Sequence, residues 1–195
     1  SQSNREYFRS LQKYQRGLKQ RNSILRGIRN GTSQHSELDF WNNLLISEGL
    51  ILMFQRLEVL TSLGSKASTF LSELTDNKEH LSVVYHPTIK LLDSINSTRE
   101  EFANSLHQSR QRDIQTGTTQ FGPHRDDFEL SVNDSDMRIF SSRGQARTIA
   151  LALRLAEASH ISSPESEPII LLDDILSELD TQRRQRILKT ISTYN

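Results

Sequence analysis

The 195-residue chain contains no cysteine. Disulfides and thiolate metal sites are therefore excluded, and the composition suits a reducing compartment such as the cytosol. No run approaches the roughly eighteen uninterrupted apolar residues of a membrane span. No positively charged apolar leader opens the chain, so secretion is not indicated. An initiator Met is missing as well: the chain begins Ser1-Gln2-Ser3, and we expect a piece of a longer protein. A net basic excess is also lacking, with Lys plus Arg and Asp plus Glu equal at 24 each. That balance argues globally against nucleic-acid binding, but it averages two opposed patches. Residues 1–30 carry eight basic residues (Arg5, Arg9, Lys13, Arg16, Lys19, Arg21, Arg26, Arg29) against Glu6 alone, whereas residues 163–180 carry six acids and no base.

What is present is ordinary for a soluble globular chain: 34% apolar and 25% charged residues, in a length that supports one full domain or two small ones. Residues 5–29 predict a long amphipathic helix. Tyr7, Leu11, Tyr14, Leu18, Leu25 and Ile28 follow alternating steps of four and three, interrupted by Arg21 at one seam position. Asn30-Gly31-Thr32-Ser33 supplies turn chemistry. A second helical stretch, 36–74, sets Leu38, Trp41, Leu45, Leu52 and Val59 on one face, with an interruption expected at Gly49 or Gly64. Two long helices and a short turn predict an antiparallel hairpin.

Leu81–Tyr85 reads as a short strand, and 97–114 as a helix opened by Ser97 or Thr98. Phe128–Val132 alternates like a strand, Asn133–Asp136 is a turn, and Met137–Phe140 is expected to be a second strand. A helix over 144–160 follows. Pro168-Ile169-Ile170-Leu171-Leu172 reads as a strand buried on both faces, with a helix expected at 180–191. The fold class expected is α+β: a helical arm over 1–115, then an α/β lobe over 116–195.

Chemistry concentrates in three places. Ile169-Ile170-Leu171-Leu172-Asp173-Asp174 ends an apolar strand in paired carboxylates, the Walker B pattern, at the strand edge where α/β folds bind ligands. In such sites the first carboxylate holds Mg²⁺ through water and the second acts as general base. Ser177-Glu178-Leu179-Asp180 follows where ABC-type ATPases carry the D-loop, although Asp180 also suits a helix N-cap. Ser141-Ser142-Arg143-Gly144-Gln145 resembles the ABC signature loop, with Arg143 in place of a glycine. A hydroxyl and backbone N–H groups at a helix start favour an anion, and Gly144 lets the backbone approach closely. Taken singly, each element also has a plain structural reading as a buried strand, a cap or a turn.

In this order the three elements resemble the C-terminal lobe of an ABC or SMC-type ATPase head. Gly122-Pro123-His124-Arg125-Asp126-Asp127, Gln20-Arg21-Asn22-Ser23 and Trp41 narrow the resemblance to the RecF family, over essentially the whole chain. Asp173-Asp174 for the usual Asp-Glu, and Ser-Arg-Gly-Gln for the usual double glycine, are both variants of that family. The resemblance implies a protein of replication, recombinational repair and the SOS response in the bacterial cytoplasm. It implies binding of ATP, Mg²⁺ and single- and double-stranded DNA without sequence preference, head-to-head dimerisation around ATP, and action with RecR and RecO in loading RecA. By that carry-over Asp173 is the Mg²⁺ ligand and Asp174 the catalytic base. Ser142, Arg143, Gly144 and Gln145 reach the γ-phosphate on the other protomer, and Ser177, Glu178, Leu179 and Asp180 form the D-loop. His124, Arg125 and Asp126 have either a family-specific interface role or a structural one. A kinase-like reading of His-Arg-Asp fails because no Asn or Asp-Phe-Gly follows at the right spacing.

No phosphate loop ending in Gly-Lys-Ser or Gly-Lys-Thr occurs, so this chain alone is expected not to hydrolyse ATP. Arg5, Arg9, Arg16, Lys19 and Arg26 lie off the apolar seam of the first helix, as candidate phosphate contacts or a solvated helix face. Two alternatives stand beside the RecF reading: the head of another SMC-like ATPase, and a non-catalytic interaction module.

Overall fold

The structure is a computed structural model and describes residues 2–140, 142–162 and 185. Apart from Gln185, the expected Walker B strand with Asp173 and Asp174, the Ser177–Asp180 loop and the helix at 180–191 lie outside the described residues.

The first helix, α1 (Gln2–Arg29), follows from the four-three spacing and buries Tyr14 and Leu25. It stops at Gly31, whose φ of +77° suits a residue without a Cβ, and Thr32 N–H closes onto Gly27 O at 2.8 Å. A single 3₁₀ turn, His35–Glu37, leads into α2 (Leu38–Thr75), about 57 Å long at 1.5 Å per residue. Cross-links between the two helices descend along α2 as they climb α1: Gln55 to Glu6, Arg56 to Tyr7, Lys13 to Glu48, Arg21 to Asn42. The hairpin is therefore antiparallel, as expected.

The expected interruption of α2 does not occur. A Cβ at Gly49 would stand 2.7 Å from the Phe102 ring and 3.2 Å from Tyr14, and one at Gly64 would stand 3.0 Å from Val83. These glycines permit close approach of neighbours; tertiary packing overrides their weak helix propensity.

After β1 (Leu81–His86), the expected single helix is two. In α3 (Ile95–Gln108) the Ser94 hydroxyl caps the start by accepting from Ser97 N–H at 3.0 Å, three residues ahead of the expected cap. The chain re-initiates at Ser109 as α4 (Arg110–Thr116) and ends at Gly117, with φ +68°. Then β2 (Asp127–Val132) lies beside β1 and pairs antiparallel with β3 (Ser135–Asp136), placing Ser131 opposite Asp136 and Val132 opposite Ser135. Asn133 and Asp134 turn this hairpin with φ of 47° and 63°, both left-handed as a tight two-residue connection requires. The expected strand Met137–Phe140 is instead a short helix, α5. Asp136 Oδ1 accepts from Arg138 N–H at 2.8 Å, a cap that favours helix over extended chain. The last described helix, α6, runs Arg143–Ile161.

Packing divides the chain discontinuously, whereas the sequence suggested one boundary at 115/116. One compact unit comprises Ser1–Leu57 and Tyr85–Asp127; the other comprises 58–84 and the described residues from 128 onward. The difference arises because α2 is long enough to contribute to two cores. The first unit buries Ile46, Leu50, Met53, Phe102 and Leu106, and clusters Tyr14 of α1 with Leu45 and Leu52 of α2. The second buries Phe70, Leu71, Leu74, Val132, Leu151 and Leu155.

Gly49→Val is expected to cost about 1–3 kcal/mol through overpacking against Phe102 and Tyr14. Gly144→Ala, where an added Cβ meets nothing within 4 Å, is expected to stay within about 1 kcal/mol of the parent. Urea denaturation of the two variants checks both; equal midpoints would contradict the packing described.

Candidate functional site

Two blocks that the sequence singled out, 100 residues apart, form one hydrogen-bonded cluster in the first unit. Arg21, on the apolar seam of α1, is fully buried and pairs with Asp113 of α4 at 2.8 Å, both side chains 0% exposed. The same nitrogen donates to Thr119 Oγ1 at 2.8 Å, and Nε donates to Asn42 Oδ1 at 2.7 Å. The neighbouring Asn22 accepts both the N–H and the hydroxyl of Thr119, at 2.9 and 2.7 Å. Asp113 also receives Gln120 N–H at 3.1 Å. A buried ion stays in a fold only when paired and hydrogen-bonded, and here Arg21 Nε and Nη1 are bonded while Nη2 is buried without a partner.

The Gly122–Asp127 block continues from Thr119. His124 Nε2 faces the Thr119 carbonyl at 3.0 Å. A carbonyl only accepts, so Nε2 carries the proton and Nδ1 accepts from the Tyr14 hydroxyl at 2.8 Å. Burial pushes the imidazole below its usual range, against the bond to Thr119 and with the help of Arg125. The ring is therefore neutral. Burial likewise raises Tyr14 well above an ordinary phenol, and Asp126 adds to the rise.

Asp126 has a nearly buried side chain. It accepts from Thr88 N–H at 2.7 Å, from the Thr88 hydroxyl at 2.9 Å and from the Tyr85 hydroxyl. Arg56 stands 3.9 Å away and donates to the Pro123 carbonyl and to Tyr7 Oη. Desolvation opposes the Arg56 charge, but Tyr7 and Tyr85 more than offset it; Tyr85 is itself raised by burial and by its bond to Asp126. His124 and Asp126 are thus internally satisfied, while Arg125 is exposed. Asp113, Thr119, Arg56, Tyr85 and Thr88 escaped the sequence reading. The one signal for them was Arg21 itself, since a cation on an apolar seam needs partners.

In the second unit, the signature-like residues open α6. Ser142 Oγ accepts from Gln145 N–H at 3.2 Å, and Gln145 Oε1 accepts from Ser142 N–H at 3.1 Å, a reciprocal capping box. The first internal bond of the helix, Ala146 N–H to Ser142 O, leaves the N–H groups of Arg143 and Gly144 ahead of it, as at any helix start. Arg143 is exposed, and the space around Gly144 is open. A hydroxyl, two leading N–H groups, a guanidinium and an uncrowded glycine form a donor set that fits a phosphate. Gln145 differs: its amide nitrogen is held by Glu79 Oε1 at 3.2 Å.

Arg5, Arg9, Arg16 and Lys19 are exposed along α1. Arg26 is also exposed but donates to Gly117 O at 3.3 Å. Asp173, Asp174, Ser177, Glu178, Leu179 and Asp180 lie outside the described residues. No group of three or more His, Asp or Glu suited to a metal occurs among the described residues, nor does a helix long and apolar enough to cross a membrane.

A helical hairpin and an α+β unit whose last described helix opens on a capped Ser-Arg-Gly-Gln place the chain in the α+β class. No protein-family model matches the chain. Individual relatives do. DNA replication and repair protein RecF of Heliobacterium modesticaldum is 37% identical over 100% of this chain and 53% of its own length. The RecF proteins of Clostridium novyi and Bacillus cytotoxicus are 35% and 38% identical, over 100% and 95% of this chain and 52% and 50% of theirs. The solved recombination mediator RecF bound to ATP, described within the RecFOR pathway, superposes with a TM-score of 0.85 at 35% identity, over 95% of this chain and 50% of that one. Its counterpart with ATPrS gives 0.84 at 34%, over 96% and 51%. The chain belongs to the RecF family, matching the C-terminal half of its members. It spans about half the length of the curated relatives.

Removing one partner of a buried ion pair strands the other. Arg21→Ala is therefore expected to destabilise by about 3–5 kcal/mol, whereas Arg21→Met combined with Asp113→Leu recovers most of the loss. Chemical denaturation of the single and double variants checks this, and additive losses would contradict the pairing.

Proposed function

We propose that this chain is the arm and C-terminal lobe of a RecF-type DNA replication and repair protein, whose ATP-dependent action belongs to a protein of the relatives' full length. The observation that carries the reading is the capped helix start at Ser142–Gln145. Its donors fit a phosphate, and it belongs to a chain that superposes on ATP-bound RecF at a TM-score of 0.85.

When bound, ATP supplies the γ-phosphoryl group and the negative charge that two heads share. Ser142, Arg143 and Gly144 present donors to the nucleotide of the opposite protomer, and Arg143 stabilises charge there as an arginine finger does. Asp173 serves as the Mg²⁺ ligand through water and Asp174 as the base that orients the attacking water. Ser177–Asp180 couples the two sites across the dimer. The phosphate loop is supplied by sequence outside this chain. Action with RecR and RecO in loading RecA, and a cytoplasmic location, complete the reading.

The exposed cations of α1 support contact with DNA. Arg5 to Lys19 spans roughly 20 Å at 1.5 Å per residue, comparable with about six phosphates of one strand at 3.4 Å each. Such contacts neutralise phosphates without reading bases, in keeping with sequence-independent binding.

Two measurements test the proposal. In the full-length protein, Arg143→Ala is expected to lower ATP turnover by roughly 100-fold, while the isolated chain shows none with Mg²⁺; steady turnover by the isolated chain sinks the half-site reading. Reversing Arg9 and Arg16 to Glu is expected to weaken duplex binding by about 10-fold or more and to reduce its salt dependence. Unchanged affinity at low salt removes the arm as a DNA contact.

A further inference from the structure

The last residue of the signature-like loop is not placed like the other three. Both ends of the Gln145 side chain are occupied by its own chain: Oε1 takes Ser142 N–H at 3.1 Å, and Nε2 donates to Glu79 Oε1 at 3.2 Å. Glu79 is itself held from both sides. Its N–H donates to Thr75 Oγ1 at 3.2 Å, and its carbonyl accepts from the Ser72 hydroxyl at 3.3 Å. These bonds fix it to the end of α2, where Asp76 and Asn77 turn the chain with positive φ. The adjoining loop is stapled further: Asn133 Oδ1 accepts His80 N–H at 3.0 Å, and its Nδ2 donates to Lys78 O at 2.8 Å. The backbone of Glu79 is therefore fixed on both sides, its Oε1 takes Gln145, its Oε2 is buried without a partner, and a carboxylate acceptor makes the stronger bond.

We propose that Glu79 and Gln145 are a positioning pair: Gln145 closes the cap that aims Ser142, Arg143 and Gly144, Glu79 holds Gln145 in that pose, and neither touches the nucleotide. Accepting Gln145 N–H uses a lone pair of the Ser142 oxygen and leaves its O–H proton to donate outward, together with the leading N–H groups and the Arg143 guanidinium. A Gln145 amide turned to a phosphate would have to abandon both of its bonds and leave Ser142 N–H and the Glu79 carboxylate without them. The inference rests on the proposed role of the signature loop and assigns a different job to its fourth residue.

The capping-box geometry suggests an exchange test, because glutamate serves the box as well as glutamine. Gln145→Glu alone sets a carboxylate against Glu79 and is expected to lower kcat for ATP by about 10-fold in the full-length protein, with nucleotide affinity of the separated protomer unchanged. Adding Glu79→Gln restores a donor facing an acceptor, and kcat is expected to return to within about 2-fold of the parent, a coupling that independent sites do not show. Glu79→Gln alone retains an acceptor and is expected to be mild. Arg143→Ala is measured alongside. If it abolishes turnover while the exchanged pair stays inactive or fails to fold, Gln145 is needed as glutamine, and the positioning role is overturned with the loop's function intact. If Arg143→Ala has no effect, the signature reading falls, and the pair's role falls with it.

Discussion

The first unit is organised around an ion pair with no access to water. Moving a guanidinium and a carboxylate out of water costs several kcal/mol each, and their mutual attraction offsets this only when the remaining donors and acceptors are also used. Arg21 meets most of that condition through Asp113, Thr119 and Asn42, with only its Nη2 buried and unpartnered, and Asp113 meets it through Arg21, Gln120 N–H and the Ser109 hydroxyl at 3.3 Å. Those partners come from α1, α2, α4 and the segment after Gly117. Sliding any one of them by a residue would strand a buried charge. Apolar side chains at 14, 45 and 52 supply adhesion between the helices, but hydrophobic contact is tolerant of small shifts; the ion pair is not. It therefore acts as the register pin of the arm.

From that pin the order passes outward through polar contacts. Thr119, held by Arg21 and Asn22, orients His124; His124 orients Tyr14; and Asp126 ties Thr88 and Tyr85 to the same block. The neutral, Nε2-protonated imidazole is a structural joint here, with both nitrogens spoken for and its protonation opposed by burial. Within the first unit, His124 and Asp126 thus hold neighbouring side chains in place. Arg125, beside them, is exposed.

Much of the architecture was legible where the signal is local. The helix predicted from the four-three spacing of α1, the strand predicted at 128–132 and the plain cap reading of the serine before α6 each arise from neighbours within a few residues, and all three appear in the structure. What failed was decided elsewhere in the chain. Gly49 looked like a break because Phe102 is 53 positions away, and Met137–Phe140 looked like a strand because its fate depends on the Asp136 cap. Arg21 read as a flaw in a seam, since its partners lie 92 and 98 residues downstream. Glu79 carries no sequence signal at all; only the fold brings it to Gln145. The family motifs were readable as patterns, while the physical reason for the Arg21-Asn22 and Gly122–Asp127 blocks emerged only when they proved to be two halves of one cluster.

Gly122 shows how strongly such a cluster resists piecemeal change. Its φ of +128° already disfavours any side chain, and the space where a Cβ would stand is taken by the Tyr14 hydroxyl, with the Phe102 ring 3.1 Å away. Trimming Tyr14 to make room would remove the donor to His124 Nδ1, and replacing His124 would leave that hydroxyl buried and unmatched. Positions 14, 122 and 124 therefore cannot drift separately: a lineage that alters one must pass through a damaged intermediate or change all three together. Among relatives this trio should be inherited as a single character, and a homologue that has replaced it should have rebuilt this corner of the arm wholesale.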